Sequence, residues 1–412
     1  MVKFDKFSLD NGLKVIVHKD TTTTITSVNV LYNVGARDEN SERTGFAHLF
    51  EHLMFEGSVN ISSYDKALQL AGGENNAYTT NDLTNYYITL PKENLETAFW
   101  LESDRMLGLD FSEGKLAIQK NVVIEEFNQR YLNQPYGDVY LLLRPLVYKE
   151  HPYQWATIGK DISHIQNTNL QEVKDFFNKH YAPNNAILSV AGNVDLNEVK
   201  LLAEKWFGSI PERNVINRNL PKEPKQEKAK TLTVKRDVPY DAIYKAFHMS
   251  SRNSEDYYTC DLISDLLANG KSSRLYQNLI KDKKLFSEIN AYITGSIDEG
   301  LFIVSGKLIH GVSMDDAEKA INLELDNISD LEISDYEMEK VKNKFESVYQ
   351  FGQISVLNKA SDLAFYELLG DANKINTEIK NYRNVSVENV KSVAENLFAK
   401  NNSSTLYYLS KK

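Results

Sequence analysis

The sequence predicts an α+β protein made of two halves of similar topology. Strand-like and helix-like segments come in blocks instead of alternating one for one, which favours α+β over a doubly wound parallel sheet. At 412 residues the chain exceeds a single ordinary core, the usual size being about 100 to 200 residues per domain. A Pro-, Lys- and Glu-rich stretch near the middle, PKEPKQEKAK, reads as a solvated connection, and strands and a helix then return in the order of the first half. The expected division is an N-terminal domain over 1–212, a linker over 213–230 and a C-terminal domain over 231–412.

In the first half, residues 7–17 alternate apolar and polar around Asn11-Gly12, a preferred type I′ turn, and so form a hairpin. A strand over 27–34 ends at Gly35, and a helix begins from about Thr44. Residues 85–90 (NYYITL) form a strand, 92–106 and 114–131 helices, 170–180 a shorter helix, and 186–190 (AILSV) a buried strand. Beyond the linker, 231–234, 242–248 and 301–305 are strands and 257–267 is a helix.

Composition excludes several functions. Apolar residues at 42% and charged residues at 25% suit a chain that buries a sizeable core. A net charge of −10 gives no global basic surface for nucleic acid or anionic lipid, so neither partner is expected. The lone Cys260 allows no internal disulfide and sits in an apolar run as a small hydrophobe, which suits a reducing compartment. No window reaches the about 18 apolar residues of a membrane span, and the start lacks the apolar core of a secretory signal. The expected compartment is cytoplasmic; a periplasmic chain trimmed of its signal would read the same. Gly270-Lys271-Ser272 lacks the upstream glycine of a phosphate loop, that position being Asp265, which removes nucleotide binding.

The chemistry concentrates in TGFAHLFEHLMF, residues 44–55. Phe46, Leu49, Phe50, Leu53 and Met54 recur at i, i+3, i+4, i+7 and i+8, the stripe of an amphipathic helix. At about 100° per residue, His48, Glu51 and His52 share the opposite face. Two histidines one turn apart can aim ring nitrogens at one point about 2.0–2.1 Å away, the distance zinc asks of imidazole. Glu51, between them, is placed to take a proton from an attacking water without binding the metal. A catalytic zinc usually has three protein ligands and one open position, so a carboxylate from elsewhere is expected. In the 114–131 helix, Leu116, Val123, Phe127 and Tyr131 mark the buried stripe; Glu126 flanks it, while Glu125 projects to the solvated side. Glu126 is the better third ligand, with Glu56 and Asp104 as alternatives.

HLFEH followed by Glu126 in NVVIEEFNQRY resembles the pitrilysin-type metallopeptidases, the inverted zincins with the signature H-x-x-E-H. GARDE at 35–39, GGENNAYT at 72–79, TNYY at 84–87, HPY at 151–153 and YAPNNAILSVAGNVD at 181–195 are similar to stretches of the shorter bacterial members along the whole chain. The resemblance implies two homologous α/β-sandwich halves. It also implies a zinc-dependent endopeptidase that hydrolyses peptides or unfolded polypeptides in a closed chamber formed by two such chains. Zinc would sit on His48, His52 and Glu126, with Glu51 activating the water. Asn76, Ala77 and Tyr78 would lie on an edge strand beside the metal, where substrate adds as a further strand.

Two departures stand out. Gln119 occupies the position, two turns before Glu126, where members commonly carry glutamate, and its amide can still hydrogen-bond the network around the ligands. In the second half, the arginine and tyrosine with which many catalytic relatives grip the substrate backbone are replaced by Ile280 and Ser287, which cannot make those hydrogen bonds. The expectation is therefore a heterodimer whose homologous partner subunit supplies the Arg/Tyr pair, with a homodimer as the alternative. A non-catalytic binding or assembly subunit of the same fold is the alternative function; the intact HLFEH and Glu126 favour turnover.

Overall fold

Gly12 takes φ 83°, a left-handed conformation open to glycine without a side-chain clash. Across that turn β1 (Asp5–Ser8) and β2 (Lys14–Lys19) pair antiparallel. The computed structural model describes residues 1–214, 218–330 and 333–411, so residues 215–217 of the expected linker lie outside the described residues. Strands β3 (Ile25–Tyr32), β4 (Glu74–Thr79), β5 (Thr84–Pro91) and β6 (Ala186–Gly192) complete a six-stranded sheet in the order β1-β2-β6-β3-β5-β4. A five-stranded sheet holds β7 (Lys230–Arg236), β8 (Ala242–His248), β9 (Phe286–Ile293), β10 (Leu301–Leu308) and β11 (Ser403–Ser410) in the order β7-β11-β8-β10-β9.

The two orders correspond strand for strand. β7 answers to β2, β11 to β6, β8 to β3, β10 to β5 and β9 to β4. The sense of pairing follows: β2/β6 and β7/β11 are parallel, and the remaining shared pairs are antiparallel. The halves are thus similar in topology, as the order of their elements in sequence predicts.

The helices that matter for the site and its frame are α1 (Phe46–Leu53), α2 (Leu95–Leu107), α3 (Glu113–Phe127), α4 (Val139–Val147), α5 (Asp256–Ala268) and α6 (Val356–Leu368). None of the described helices is long and apolar enough to cross a membrane. Two compact units emerge, but they do not follow the contiguous division expected from the sequence. One comprises 1–130, 155–220 and 350–377; the other comprises 131–154, 221–349 and 378–412. The main crossing, between 220 and 221, falls inside the 213–230 stretch, yet each half lends a segment to the other's unit. Helix α4 lays Val139, Leu143 and Val147, one helical face, into the core over β8 and β11. Helix α6 covers β3 and β6 with Ala360, Leu363 and Ala364. Ion pairs fix it there: Lys359 to Asp20 at 2.8 Å, and Glu367 to Lys6 and Lys14 at 2.9 and 3.2 Å.

Beneath the first sheet's helical layer lies a buried charge pair within α2. Arg105 Nε donates to Glu102 Oε2 at 2.9 Å, and both side chains are removed from water. The guanidinium sits over the rings of Tyr86, Tyr64 and Phe55 at 4.3, 4.9 and 5.5 Å from their centroids, and the Tyr64 hydroxyl donates to Glu102 Oε1 at 2.8 Å. Removing one partner strands the other charge. Arg105→Met is expected to cost about 3–5 kcal/mol in urea unfolding, and the double change Glu102→Leu/Arg105→Met less than Arg105→Met alone. Strictly additive losses would show that the two charges do not compensate each other.

Candidate metal centre

Helix α1 is fixed first at its start. Gly45 precedes it with φ 93° and offers no side-chain cap. The buried Glu39 carboxylate accepts from the Gly45 and Ala47 amides instead, each at 2.9 Å, supplying the acceptor that free N-terminal amides require. Burial pushes the Glu39 carboxyl up to about 8, against those two hydrogen bonds. The apolar stripe then fixes the rotation of the helix. Phe46, Leu49, Phe50 and Leu53 are buried, and the Phe50 ring stacks on Phe176 and Tyr181 at 5.3 and 4.9 Å. From β5, the Tyr86 hydroxyl donates to the Phe50 carbonyl at 3.2 Å.

With that face committed, His48, Glu51 and His52 turn the other way, toward α3, which packs against α1. His48 Nε2 lies 3.5 Å and His52 Nε2 3.4 Å from Glu126 Oε2, and one ligating atom from each of the three residues falls within 4.8 Å of the others. Bonds of about 2.0–2.2 Å to a tetrahedral zinc place ligand atoms roughly 3.3–3.5 Å apart, and both histidine-to-Glu126 separations match that spacing. Burial, opposed by the Glu126 carboxylate, pushes the His48 imidazole down to about 4 and keeps it neutral at pH 7, the form that ligates. The His52 hydrogen bond is the chief reason that the Glu126 carboxyl is held below its ordinary value. Arg130 Nη1 takes the other oxygen, Oε1, at 2.9 Å, leaving Oε2 to face the histidines.

The structure separates the candidate carboxylates. Glu125 is exposed on the far side of α3, as expected. Asp104 is committed to Ser58 Oγ and to the backbone and side-chain nitrogens of Asn60. Glu56 accepts from Gln119 Nε2. That last contact explains the amide at 119: a glutamate there would set carboxylate against carboxylate. Gln119 therefore serves Glu56, with no bond to the three clustered residues among the described contacts. Glu51 is half-buried, and its carboxylate forms no side-chain hydrogen bond or ion pair among the described residues.

Asn76, Ala77 and Tyr78 do lie on an edge strand. β4 ends the sheet, packs against α1, and alternates exposed and half-buried positions. Ala77 pairs with Tyr86, so its side chain is on the α1 face, while Asn76 and Tyr78 lie on the other. In the second unit, Ile280 packs against the apolar core and Ser287 Oγ donates to the Lys307 carbonyl at 3.2 Å. Nearby Lys281 is held by Gln277 at 3.0 Å. Sequence reasoning missed Glu39 and Arg130. Arg130 was within reach of it, because a cation four residues after Glu126 shares its helix face.

Two units of similar one-sheet topology, with an HxxEH helix and a carboxylate from a second helix in the first, are the architecture of an inverted-zincin metallopeptidase. Comparison agrees: the family described as Insulinase (Peptidase family M16) matches residues 14–145, and Peptidase M16 inactive domain matches 167–345. The chain belongs to this pitrilysin-type M16 family. It is 31% identical to the zinc protease PqqE of Helicobacter pylori, over 98% of this chain and 92% of that one. It is 26% identical to an uncharacterized zinc protease, YmxG, of Bacillus subtilis, over 95% of each. The crystal structure of a protease from Helicobacter pylori superposes with a TM-score of 0.93 at 29% identity, covering 99% of this chain and all of that one. Pitrilysin shares the fold, with a TM-score of 0.80 at 18% identity, this chain spanning 45% of it.

The neighbouring glutamates give a sharp test of the geometry. Glu126→Gln should weaken zinc, measured by chelator competition, beyond the roughly 10- to 100-fold that loss of a supporting hydrogen bond costs. Glu125→Gln should leave zinc affinity unchanged. The reverse order would overturn Glu126 as the third ligand.

Proposed function

We propose that this chain is a zinc-dependent endopeptidase that hydrolyses peptides or unfolded polypeptides in a closed chamber, with Glu51 activating the attacking water. The observation that carries this reading is the convergence of His48, His52 and Glu126, with both histidines 3.4–3.5 Å from Glu126 Oε2, and an uncommitted carboxylate, Glu51, on the same face of α1. When bound there, zinc supplies a Lewis acid that acidifies water and polarises a peptide carbonyl. The residues do the rest. His48 and His52, neutral, and Glu126 hold the metal, and Arg130 orients the Glu126 carboxylate. Glu51 accepts the proton of the attacking water and returns it to the leaving amine. The free edge of β4 at Asn76 to Tyr78 binds the substrate backbone as an added strand. Glu51→Gln should keep about one zinc per chain, the stoichiometry of a single catalytic site. Its peptide cleavage should fall by about 10²- to 10⁴-fold, the scale of general-base catalysis. Loss of the metal would make Glu51 a ligand, and unchanged turnover would remove it from the mechanism.

The chain acts as the zinc-bearing member of a heterodimer, its homologous partner supplying the arginine and tyrosine that grip the substrate. Support comes from Ile280 and Ser287, whose side chains are committed to their own unit and offer neither a guanidinium nor a phenol. Zinc-loaded chain alone should cleave a mixed peptide library poorly, and the partner should restore cleavage. Full activity from the purified chain would overturn the two-subunit reading and leave the metal site untouched. A zinc-loaded complex that cleaves nothing would favour a binding or assembly role.

A further inference from the structure

A cavity of about 520 Å³ lies in the first unit where the start of α6 meets the edge strand β4, on the sheet face turned away from α1. The register settles the face. Glu74 pairs with Thr89 and Asn76 with Tyr87, and Tyr87 pairs in turn with Asn29, which accepts from Ser361 of α6 at 3.2 Å. Glu74, Asn76 and Tyr87 therefore project to the α6 side, and all three line the cavity with Ile25, Ile354 and Leu357. Ile25 and Ile354 are 44% and 72% exposed, a large apolar surface to leave in water beside a polar rim.

The charges are lopsided. The lining holds two carboxylates, Asp20 and Glu74, and no lysine, arginine or histidine. Asp20 is spoken for: Lys359 donates to it at 2.8 Å and Thr22 Oγ1 at 2.6 Å, and the lysine bond holds its carboxyl well below the ordinary range. Glu74 has no side-chain hydrogen bond or ion pair among the described residues. A carboxylate without a cation, next to exposed isoleucines, is the complement of a cation on a long apolar stem. The net charge of −10 favours the approach of such a group.

We propose that this cavity is a specificity pocket for a lysine or arginine side chain of the bound peptide, its methylenes lying on Ile25 and Ile354 and its cation meeting Glu74. The proposal rests on the peptidase reading above. A peptide added to the edge of β4 sends alternate side chains to opposite faces. One set points toward α1 and the metal ligands, and the other toward this cavity. Basic residues are thus selected at a position of one parity and ignored at its immediate neighbours.

The test uses full-length, zinc-loaded Glu51→Gln chain and fluorescein-labelled decapeptides carrying arginine at successive positions, with norleucine as the uncharged control. Binding is read by anisotropy. Arginine should bind about fivefold tighter than norleucine at one position and not at the adjacent ones, the scale of a partly exposed ion pair. Glu74→Gln should abolish that advantage, and Glu74→Lys should transfer it to glutamate peptides, with zinc content and melting temperature unchanged in both. Equal binding of arginine and norleucine at every position, or a preference untouched by Glu74→Lys, would overturn the pocket. Cleavage of the norleucine series by the wild-type protein, with or without its partner, reports separately on the peptidase reading.

Discussion

The clustering of His48, His52 and Glu126 depends on the burial of one face of α1. Phe46, Leu49, Phe50 and Leu53 each remove apolar surface from water, worth about 1.5–3 kcal/mol per side chain. Because those positions commit one side of the helix, the direction of His48, Glu51 and His52 is no longer free. The same logic works on α3, where Leu116, Val123 and Phe127 are buried and Glu126, beside Phe127, is carried to the helix interface. A rotation of either helix by one residue, about 100°, would part the three ligand atoms. Hydrophobic packing therefore sets the placement of the three candidate ligands with no metal present, so a metal that binds there would not spend its binding energy on ordering the chain.

Around this apolar frame the protein places polar groups that each have an assigned partner. Glu39 meets the first amides of α1, Arg105 meets Glu102 beneath Tyr86, and Arg130 meets the outer oxygen of Glu126. The buried Arg105–Glu102 pair contributes little net stability, because desolvation offsets attraction, and the exposed Arg130 contributes little for the opposite reason, that water screens it. They penalise every arrangement in which a partner is displaced. Tyr86 shows the connection: its ring lies under Arg105 while its hydroxyl reaches the backbone of α1 at Phe50.

What the sequence made legible was whatever obeys a period. The stripe of α1 and the flank position of Glu126 could be read because a 3.6-residue repeat fixes relative direction. β4 could not be read from propensity: ENNAYT is poor in β-formers, and its strand comes from pairing with β5. Pro145 inside α4 obscured that helix. Asp104 and Glu56 stayed open as ligands because their actual partners, Asn60 and Gln119, are set by tertiary contacts. The destination of α6 was equally hidden. Its apolar face shows that something covers it, but a periodic pattern carries no address for which of two sheets.

That address matters during translation. The helix that covers β3 and β6 is synthesised only after both strands and the whole second sheet but β11, and the backbone at Val2 is bonded on both its polar groups to the side chain of Asn376. Until α6 is made, the first sheet is bare on that side. Ser27, Asn29, Asn85 and Ser189, buried in the finished protein, are turned toward α6, and Asn29 and Asn85 exchange side-chain hydrogen bonds at 2.9 and 2.8 Å. A sheet face that carries amides and hydroxyls among Leu31, Ile187 and Ala191 tolerates that wait in water better than one of valine and isoleucine alone, which would invite aggregation. The polar groups under α6 thus lessen the stickiness of that face in a growing chain until its covering helix arrives.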